Sequence, residues 1–151
     1  MGRYLLAGLI VDVIPTDEGI LGFSNKWYTE GFKSAIGYII DEHHKVKIFS
    51  PPYFIATKIE AFKNRGKDDG RTSSDFEDII FVLENRRSIW KEMNDAESPL
   101  KEYLLNEFSV MKKNPYLEEW IDSHSSSYYP PSTYFIMEDL EVFLKNKHRY
   151  T

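Results

Sequence analysis

The chain of 151 residues contains no cysteine, which excludes disulfides and thiolate metal sites. It also lacks a long hydrophobic run. The longest, residues 4–11, is far shorter than the roughly 20 residues that a membrane-spanning helix needs. No signal-peptide pattern opens the sequence. We therefore expect a soluble, cytoplasmic protein that makes no membrane contact.

The chain also has fewer basic residues than acidic ones. The chain has 19 Lys and Arg against 24 Asp and Glu, which gives a formal net charge of -5. A surface of this sign does not hold a nucleic-acid backbone by bulk charge, although a local basic pocket can still hold a nucleotide. We therefore expect a nucleic-acid acceptor, if there is one, to be contacted only locally.

The residues that are abundant are apolar. They make up 42% of the chain, and aromatic residues make up 15%, which suffices for one compact core. Residues 1–50 carry strand patterns, whereas residues 51–151 carry helical periodicity. The sequence therefore predicts an α+β fold, in which a sheet of about three strands is followed by a helical bundle and both parts pack as one domain.

Three strands are predicted, and they cover residues 4–15, 36–40 and 45–49. The first run is rich in β-branched residues and is apolar at both its odd and its even positions, which is typical of a strand buried on both faces. The other two are joined by Asp41-Glu42-His43-His44, which has the length and polarity of a hairpin loop. Between the first and second strands we expect a loop over 16–25 and a short helix over 26–35, with Trp27 and Phe32 available for the core.

Six helices are predicted from the apolar spacing of the second part, and they cover residues 53–64, 75–85, 87–93, 99–112, 116–123 and 133–147. Gly66 is well placed to end the first of them. The pattern Ser74-x-x-Glu77 is typical of the capping box that opens a helix. The apolar stripes of the first two helices are Ile55, Ile59 and Phe62, and Phe76, Ile79, Ile80 and Leu83.

Charged residues lie beside these two stripes. At about 100° per residue, Lys58 falls roughly 20° from Arg65, at the margin of the first stripe. Asp75 falls about 40° from Ile79, beside the second stripe. If the two helices pack as a hairpin, Lys58 and Asp75 face the same cleft. Each also has a structural explanation. A lysine at this position can extend its ammonium to solvent, and the helix dipole stabilises an aspartate in the first turn of a helix.

Asp12 is the single charge inside the first predicted strand. A lone carboxylate in an apolar strand costs several kcal/mol unless it is paired or bound to a metal ion. The position therefore predicts either a metal ligand or an aspartate at a strand end that points to solvent.

Four runs, taken in order, are Val11-Asp12-Val13-Ile14-Pro15-Thr16-Asp17, Leu21-Gly22-Phe23-Ser24-Asn25-Lys26-Trp27-Tyr28, Ala56-Thr57-Lys58-Ile59-Glu60-Ala61-Phe62 continuing through Arg65-Gly66-Lys67-Asp68-Asp69, and Ser74-Asp75-Phe76-Glu77-Asp78-Ile79. This ordered set resembles the polymerase-β-like nucleotidyltransferases of the AbiEii toxin kind, from type IV toxin–antitoxin systems. In that family a Gly-Ser motif and an Asp-x-Asp hold metal ions, a later strand supplies a third carboxylate, and a helix lysine acts with a downstream helix aspartate.

The resemblance covers residues from about 8 to 85 and implies transfer of a nucleotide from an NTP, with Mg²⁺, to an RNA, protein or small-molecule hydroxyl. Asp12 matches the third metal carboxylate, Lys58 matches the lysine that holds phosphate, and Arg65 matches a basic position that meets phosphate. The later aspartate falls on Asp75 or Asp78, and the apolar stripe favours Asp75. A cognate antitoxin is the partner that the resemblance implies.

One part of the family pattern is missing, because no Gly-Ser followed by Asp-x-Asp precedes Asp12. One carboxylate cannot hold two metal ions. We therefore expect a truncated or late-starting chain, or a degenerate relative that serves as an inactive binding or interaction module. Lost strands would also leave residues 4–15 with an unpaired edge, which a homo-oligomer would cover.

Two other groups have weaker functional interpretations. Asp41-Glu42-His43-His44 has metal-ligand residue types, but adjacent residues on a hairpin point apart and a hydrated turn explains them. Asp12 with Glu60 and Lys63 supplies the acid and lysine of a metal-dependent nuclease. Such a set usually lies on a strand with one residue between its members, whereas Glu60 and Lys63 lie on a predicted helix.

Overall fold

The computed structural model describes residues 2–13, 25–66, 68–126 and 132–145. These residues adopt an α+β fold, as predicted. Their strands form two separate two-stranded antiparallel sheets, and both sheets precede residue 50. The predicted loop over 16–25 and the ends of two predicted elements, at 14–15 and 146–147, lie wholly or almost wholly outside the described residues.

The first sheet is a hairpin and not the single buried strand predicted for residues 4–15. Its strands are β1 (Gly2–Leu6) and β2 (Leu9–Val13), joined at Ala7 and Gly8, whose φ angles are 49° and 85°. Two residues with positive φ are typical of a tight hairpin turn. The prediction was wrong because a run that is apolar at both its odd and its even positions gives no sign of a turn within it. The large apolar side chains of this hairpin are exposed.

The second sheet follows a short helix, α1 (Tyr28–Lys33), and consists of β3 (Ile36–Ile39) and β4 (Lys45–Ile48). The predicted hairpin loop between the two strands is confirmed. Trp27, just before α1, is buried as expected. Phe32 is exposed, so its predicted place in the core was wrong. Its ring packs edge-on against Phe49 with 4.9 Å between the ring centroids.

All six predicted helices are present, and where their ends fall within the described residues they differ from the prediction by at most two residues. They are α2 (Pro51–Arg65), α3 (Ser74–Asn85), α4 (Ile89–Asp95), α5 (Leu100–Met111), α6 (Leu117–His124) and α7 (Ser132–Lys145). A 3-10 turn, Gly70–Thr72, precedes α3 and packs against α6. No helix in the described part of the chain combines the length and the apolar character required to cross a bilayer.

The hydrophobic core lies between these helices. Every residue of the two predicted apolar stripes is buried, on α2 and on α3. The ring of Phe62 lies 5.3 Å from that of Phe76 and 5.9 Å from that of Trp120, so an aromatic cluster joins α2, α3 and α6. Because α2 and α3 share one apolar interface, the charged residues beside their stripes are brought to a common edge.

Gly66 ends α2, as predicted, but not through a left-handed conformation. Its φ is -76°, which any residue adopts, and its N–H donates to the carbonyl of Phe62 at 2.7 Å. A Cβ at this position would lie 2.2 Å from the ring of Phe62. Glycine is therefore required here by the close approach of a core aromatic ring to the end of the helix.

Candidate functional site

The first half of the site is the exposed edge of α2. The helix begins with prolines at its first two positions, where the missing N–H groups cost nothing. Asn25, which precedes α1, is buried and donates from its side chain to the carbonyl of Thr57 at 2.9 Å, fixing the chain before α1 against the middle of α2. Lys58 and Arg65 follow beside the buried face, two helical turns apart.

The second half of the site is the first turn of α3. Its N-cap is Ser73, whose hydroxyl accepts from the N–H of Phe76 at 3.3 Å. The predicted capping box at Ser74 was wrong by one residue, since Ser74 is already helical. This cap sets the start of α3 so that Asp75 turns toward α2, where only 2% of the residue is exposed.

Asp75 joins the two cations of α2. Arg65 donates from Nε to Oδ2 at 2.6 Å and from Nη2 to Oδ1 at 2.8 Å, a bidentate pair. Lys58 donates from Nζ to Oδ1 of the same carboxylate at 3.3 Å. A buried carboxylate is costly unless its oxygens are bonded, and here both oxygens accept hydrogen bonds from charged donors.

Asp78 lies one turn further along α3, on the solvent side of the same group. Its Oδ2 is 2.5 Å from Nζ of Lys58, and 44% of its side chain is exposed. The Lys58 ammonium also lies 5.6 Å from the centre of the Phe54 ring, within reach of a cation–π contact. Lys58 therefore sits between a buried aspartate and an exposed one.

The electrostatics of these residues follow from this geometry. Burial acts to raise the pKa of the Asp75 carboxyl, but the hydrogen bonds and charges of Arg65 and Lys58 outweigh burial and hold that pKa below its usual value. Burial likewise acts to lower the pKa of the Lys58 ammonium, yet Asp78 and then Asp75 raise it. The hydrogen bond to Asp75 raises the pKa of Arg65. All three groups are thus held in their charged forms.

We call these four residues, Lys58, Arg65, Asp75 and Asp78, the α2–α3 charge cluster. The structure brings together the site residues that the sequence predicted for these two helices. Asp75 holds the cations in place from the buried side, and the guanidinium of Arg65 stays largely exposed. Two fixed cations on one edge are suited to binding an oxyanion such as a phosphate.

Asp12, the predicted metal ligand, lies on β2, where its backbone pairs with that of Arg3. In the ranges that the structure describes, no three His, Cys, Asp or Glu side chains are grouped closely enough to hold a metal ion. Within the loop that joins β3 to β4, Asp41 accepts from the backbone N–H groups of His43 and His44, each at 2.8 Å. These bonds favour a turn and not a metal site.

A second polar cluster lies on the other side of α2, and sequence reasoning assembled only part of it. Glu60 accepts from the hydroxyl of Tyr103 at 2.6 Å, and Lys63 pairs with Glu107 at 2.9 Å. Glu60 and Lys63 are thus bonded to α5, in an arrangement that joins two helices. The partners on α5 were missed because their spacing along the chain carries no local pattern.

No family model matches the chain, and no curated protein or solved structure matches it either.

Proposed function

We propose that this chain is a nucleotidyltransferase-like protein whose α2–α3 charge cluster binds the phosphates of an NTP, for transfer of the nucleotide to an RNA, protein or small-molecule hydroxyl. The observation that carries the proposal is the shared bonding of Lys58 and Arg65 to the buried carboxylate of Asp75. The family resemblance assigns Lys58 and Arg65 to phosphate binding, and it assigns Asp75 or Asp78 to orienting a group or supporting Lys58. The same resemblance implies a toxin component with a cognate antitoxin as its partner.

Phosphate binding by this cluster rests on the different exposure of its two aspartates. Asp75 is buried and bonded by two cations, so it keeps them in place whether or not a ligand is bound. Asp78 is exposed, and its ion-pair partner within the described ranges is Lys58. A phosphate oxygen can therefore replace Asp78 beside Lys58 and take a second bond from Arg65. Such a fork of two cations neutralises the charge of a triphosphate, which phosphoryl-type transfer requires.

Magnesium enters this proposal only if further carboxylates complete the site. Oδ1 of Asp75 accepts from Lys58 and Arg65, Oδ2 accepts from Arg65, and Asp78 pairs with Lys58, so neither aspartate is set up as a free metal ligand. Asp12 alone cannot hold two metal ions. The donor set of the described residues thus does not fit a two-metal site, and the proposal assigns this chain's own residues to nucleotide binding.

A second candidate function is an inactive nucleotidyltransferase-type domain that acts as an interaction module. It is favoured by the mutual compensation of charge in the cluster, since two cations and two carboxylates already neutralise one another. It is also favoured by the exposed apolar hairpin β1–β2. In this alternative the cluster ties α2 to α3 and binds no nucleotide.

The two candidates are separated by isothermal titration of the chain with ATP, GTP, CTP and UTP, with and without Mg²⁺. If the proposal holds, at least one nucleotide binds, and Lys58→Ala weakens that binding at least tenfold. The fold is expected to survive, because Lys58 lies at the margin of the core and its loss empties no cavity.

The matched control is Lys91→Ala, which removes another lysine that pairs with an aspartate, Asp95 on α4. This variant is expected to bind nucleotide like the wild type. If Lys58→Ala binds as tightly as the wild type, or if no nucleotide binds to the wild type, the proposed function is wrong and the interaction module remains.

A further inference from the structure

The N-terminal hairpin, Gly2–Val13, has one face that is entirely apolar. Its register places Gly2 opposite Val13, Tyr4 opposite Val11, and Leu6 opposite Leu9. Cross-strand partners share a face of the sheet, and so do alternate residues along each strand. Tyr4, Leu6, Leu9, Val11 and Val13 therefore lie on one face, which we call the apolar hairpin face. Leu5 and Ile10 lie on the other.

This face is not covered by the described part of the chain. The large apolar side chains of the hairpin are between 37% and 73% exposed. An isolated two-stranded hairpin is marginally stable in water and needs a third strand or a packed partner. A hairpin of this composition is therefore expected to be covered by another surface when the protein is folded in solution.

We propose that the apolar hairpin face packs against the same face of a second copy of this chain, related to the first by a two-fold axis. A two-fold interface brings a patch against itself, so the patch must be complementary to itself. A flat apolar sheet face meets this requirement, because two such faces stack about 10 Å apart with their side chains interdigitated.

Charge favours a second copy at this face more than elsewhere on the molecule. The chain carries a net charge of -5, so two copies repel each other on average. The five side chains of the apolar hairpin face carry no charge. A close approach at this face therefore opposes no like charges and leaves none desolvated.

The exposed apolar area of this face suits a small specific interface. The exposed fractions of its five residues lie between 37% and 69%, and together they present on the order of 500 Å². Two stacked faces would therefore bury about 1,000 Å² in total, which reaches the lower limit for a specific interface.

Sedimentation equilibrium over a range of protein concentrations tests the proposal. The wild type is expected to reach twice the chain mass of 17.8 kDa. Val11→Lys places a charge in the middle of the apolar hairpin face and is expected to raise the dissociation constant of the dimer at least tenfold. The control, Val142→Lys, makes the same change at an exposed position of α7 and is expected to leave the dimer intact.

A second measurement uses the absence of cysteine from the chain. A single introduced cysteine can be linked only to a cysteine of another copy. The two stacked faces lie about 10 Å apart, which is too far for a disulfide, so a thiol-specific reagent with two reactive ends is used. We expect this reagent to link copies of at least one variant from the set Tyr4→Cys, Leu9→Cys and Val11→Cys. The controls are Leu5→Cys, on the opposite face of the same hairpin, and Val142→Cys, and neither is expected to link.

A wild type that stays monomeric at every concentration would overturn the proposal. So would a dimer that Val11→Lys leaves unchanged, or cross-linking that is as efficient at Leu5→Cys as at the apolar hairpin face. Circular dichroism of each variant separates lost association from lost folding. No nucleotide takes part in these measurements, so their failure leaves the proposed nucleotide binding untouched.

Discussion

The two parts of this chain distribute their apolar residues in opposite ways. In residues 51–145 the helices bury an almost continuous core, and their interior is dominated by Ile, Leu and Phe. In residues 2–48 the strands are as apolar as those helices, yet their large side chains are mostly exposed. Similar composition thus produces a closed core in one part and an open surface in the other.

The difference lies in what each element can pack against. Each helix carries one apolar stripe, and several helices meet stripe to stripe, so every stripe finds a partner within the chain. A two-stranded sheet has two faces and two open edges, and neither sheet here pairs with the other. The apolar pattern of a strand shows that burial is needed, but it does not show which surface provides that burial.

The largest expected effect compares a core residue with a hairpin residue. Phe76 is 1% exposed and its ring contacts those of Phe62 and Trp120, whereas Leu5 is 73% exposed. Phe76→Ala is expected to lower the free energy of unfolding by about 3–5 kcal/mol, because it leaves a cavity. Leu5→Ala is expected to change it by less than about 0.5 kcal/mol. Urea unfolding monitored by circular dichroism gives both free energies. Equal losses for Phe76→Ala and Leu5→Ala would contradict the proposed difference between the two parts of the chain.

The next effect lies where the core meets the candidate site. Asp75→Asn keeps the size of the side chain but removes the buried charge that Arg65 and Lys58 bind. We expect it to lower the free energy of unfolding by roughly 2–3 kcal/mol, the strength of hydrogen bonds to charged groups, discounted for the exposure of Arg65. Asp78→Asn, at the exposed end of the same cluster, is expected to cost less than about 1 kcal/mol.

The cost of Asp75→Asn is expected to depend on pH in one direction. The pKa of Asp75 is lowered in the folded state, so the stability that its charge contributes is fully present above the unfolded-state pKa of about 3.9. That contribution is lost as the pH falls through the folded-state pKa. The stabilities of wild type and Asp75→Asn should therefore converge in acid, and a difference that stays constant down to the lowest pH measured would rule out the charge as its cause.

The smallest effect tests where α3 begins. Ser73→Ala removes the hydroxyl that accepts from the N–H of Phe76 and is expected to cost about 1 kcal/mol of unfolding free energy. Ser74→Ala, one residue later, is expected to cost much less, since Ser74 is already helical. A larger loss of unfolding free energy for Ser74→Ala than for Ser73→Ala would support the capping box that the sequence predicted at Ser74.

Helix positions and helix faces could be predicted from the sequence because a period of 3.6 residues is a strictly local property. The same periodicity placed Lys58 beside one stripe and Asp75 beside the other, and once the stripes pack, these residues must meet. The bidentate bond from Arg65 to Asp75 was not predicted, although both residues were named, because it depends on the distance between two helices. Nor could sequence reasoning find Tyr103 as the partner of Glu60, 43 positions earlier in the chain.

The sheet part was less predictable for a physical reason. The reversal at Ala7 and Gly8 uses a positive φ at an alanine, a residue that rarely adopts it, so no usual turn pattern marked the hairpin. Phe32 shows the same limit at a single position. Its apolar character indicates that burial is favourable, but among the described residues its ring meets Phe49 at the surface and does not reach the helical core.

The bonding of Asp75 also has a consequence for how the molecule opens. Arg65 at the end of α2 and Lys58 in its middle are both fixed to the first turn of α3, and Phe62 between them packs on Phe76. If α2 separates from α3, the hydrogen bonds and the ring contact that join the two helices are lost together. The two helices should therefore open as one cooperative unit. Their backbone amides are expected to exchange with deuterium at a common slow rate, while those of the hairpin β1–β2 exchange independently and sooner.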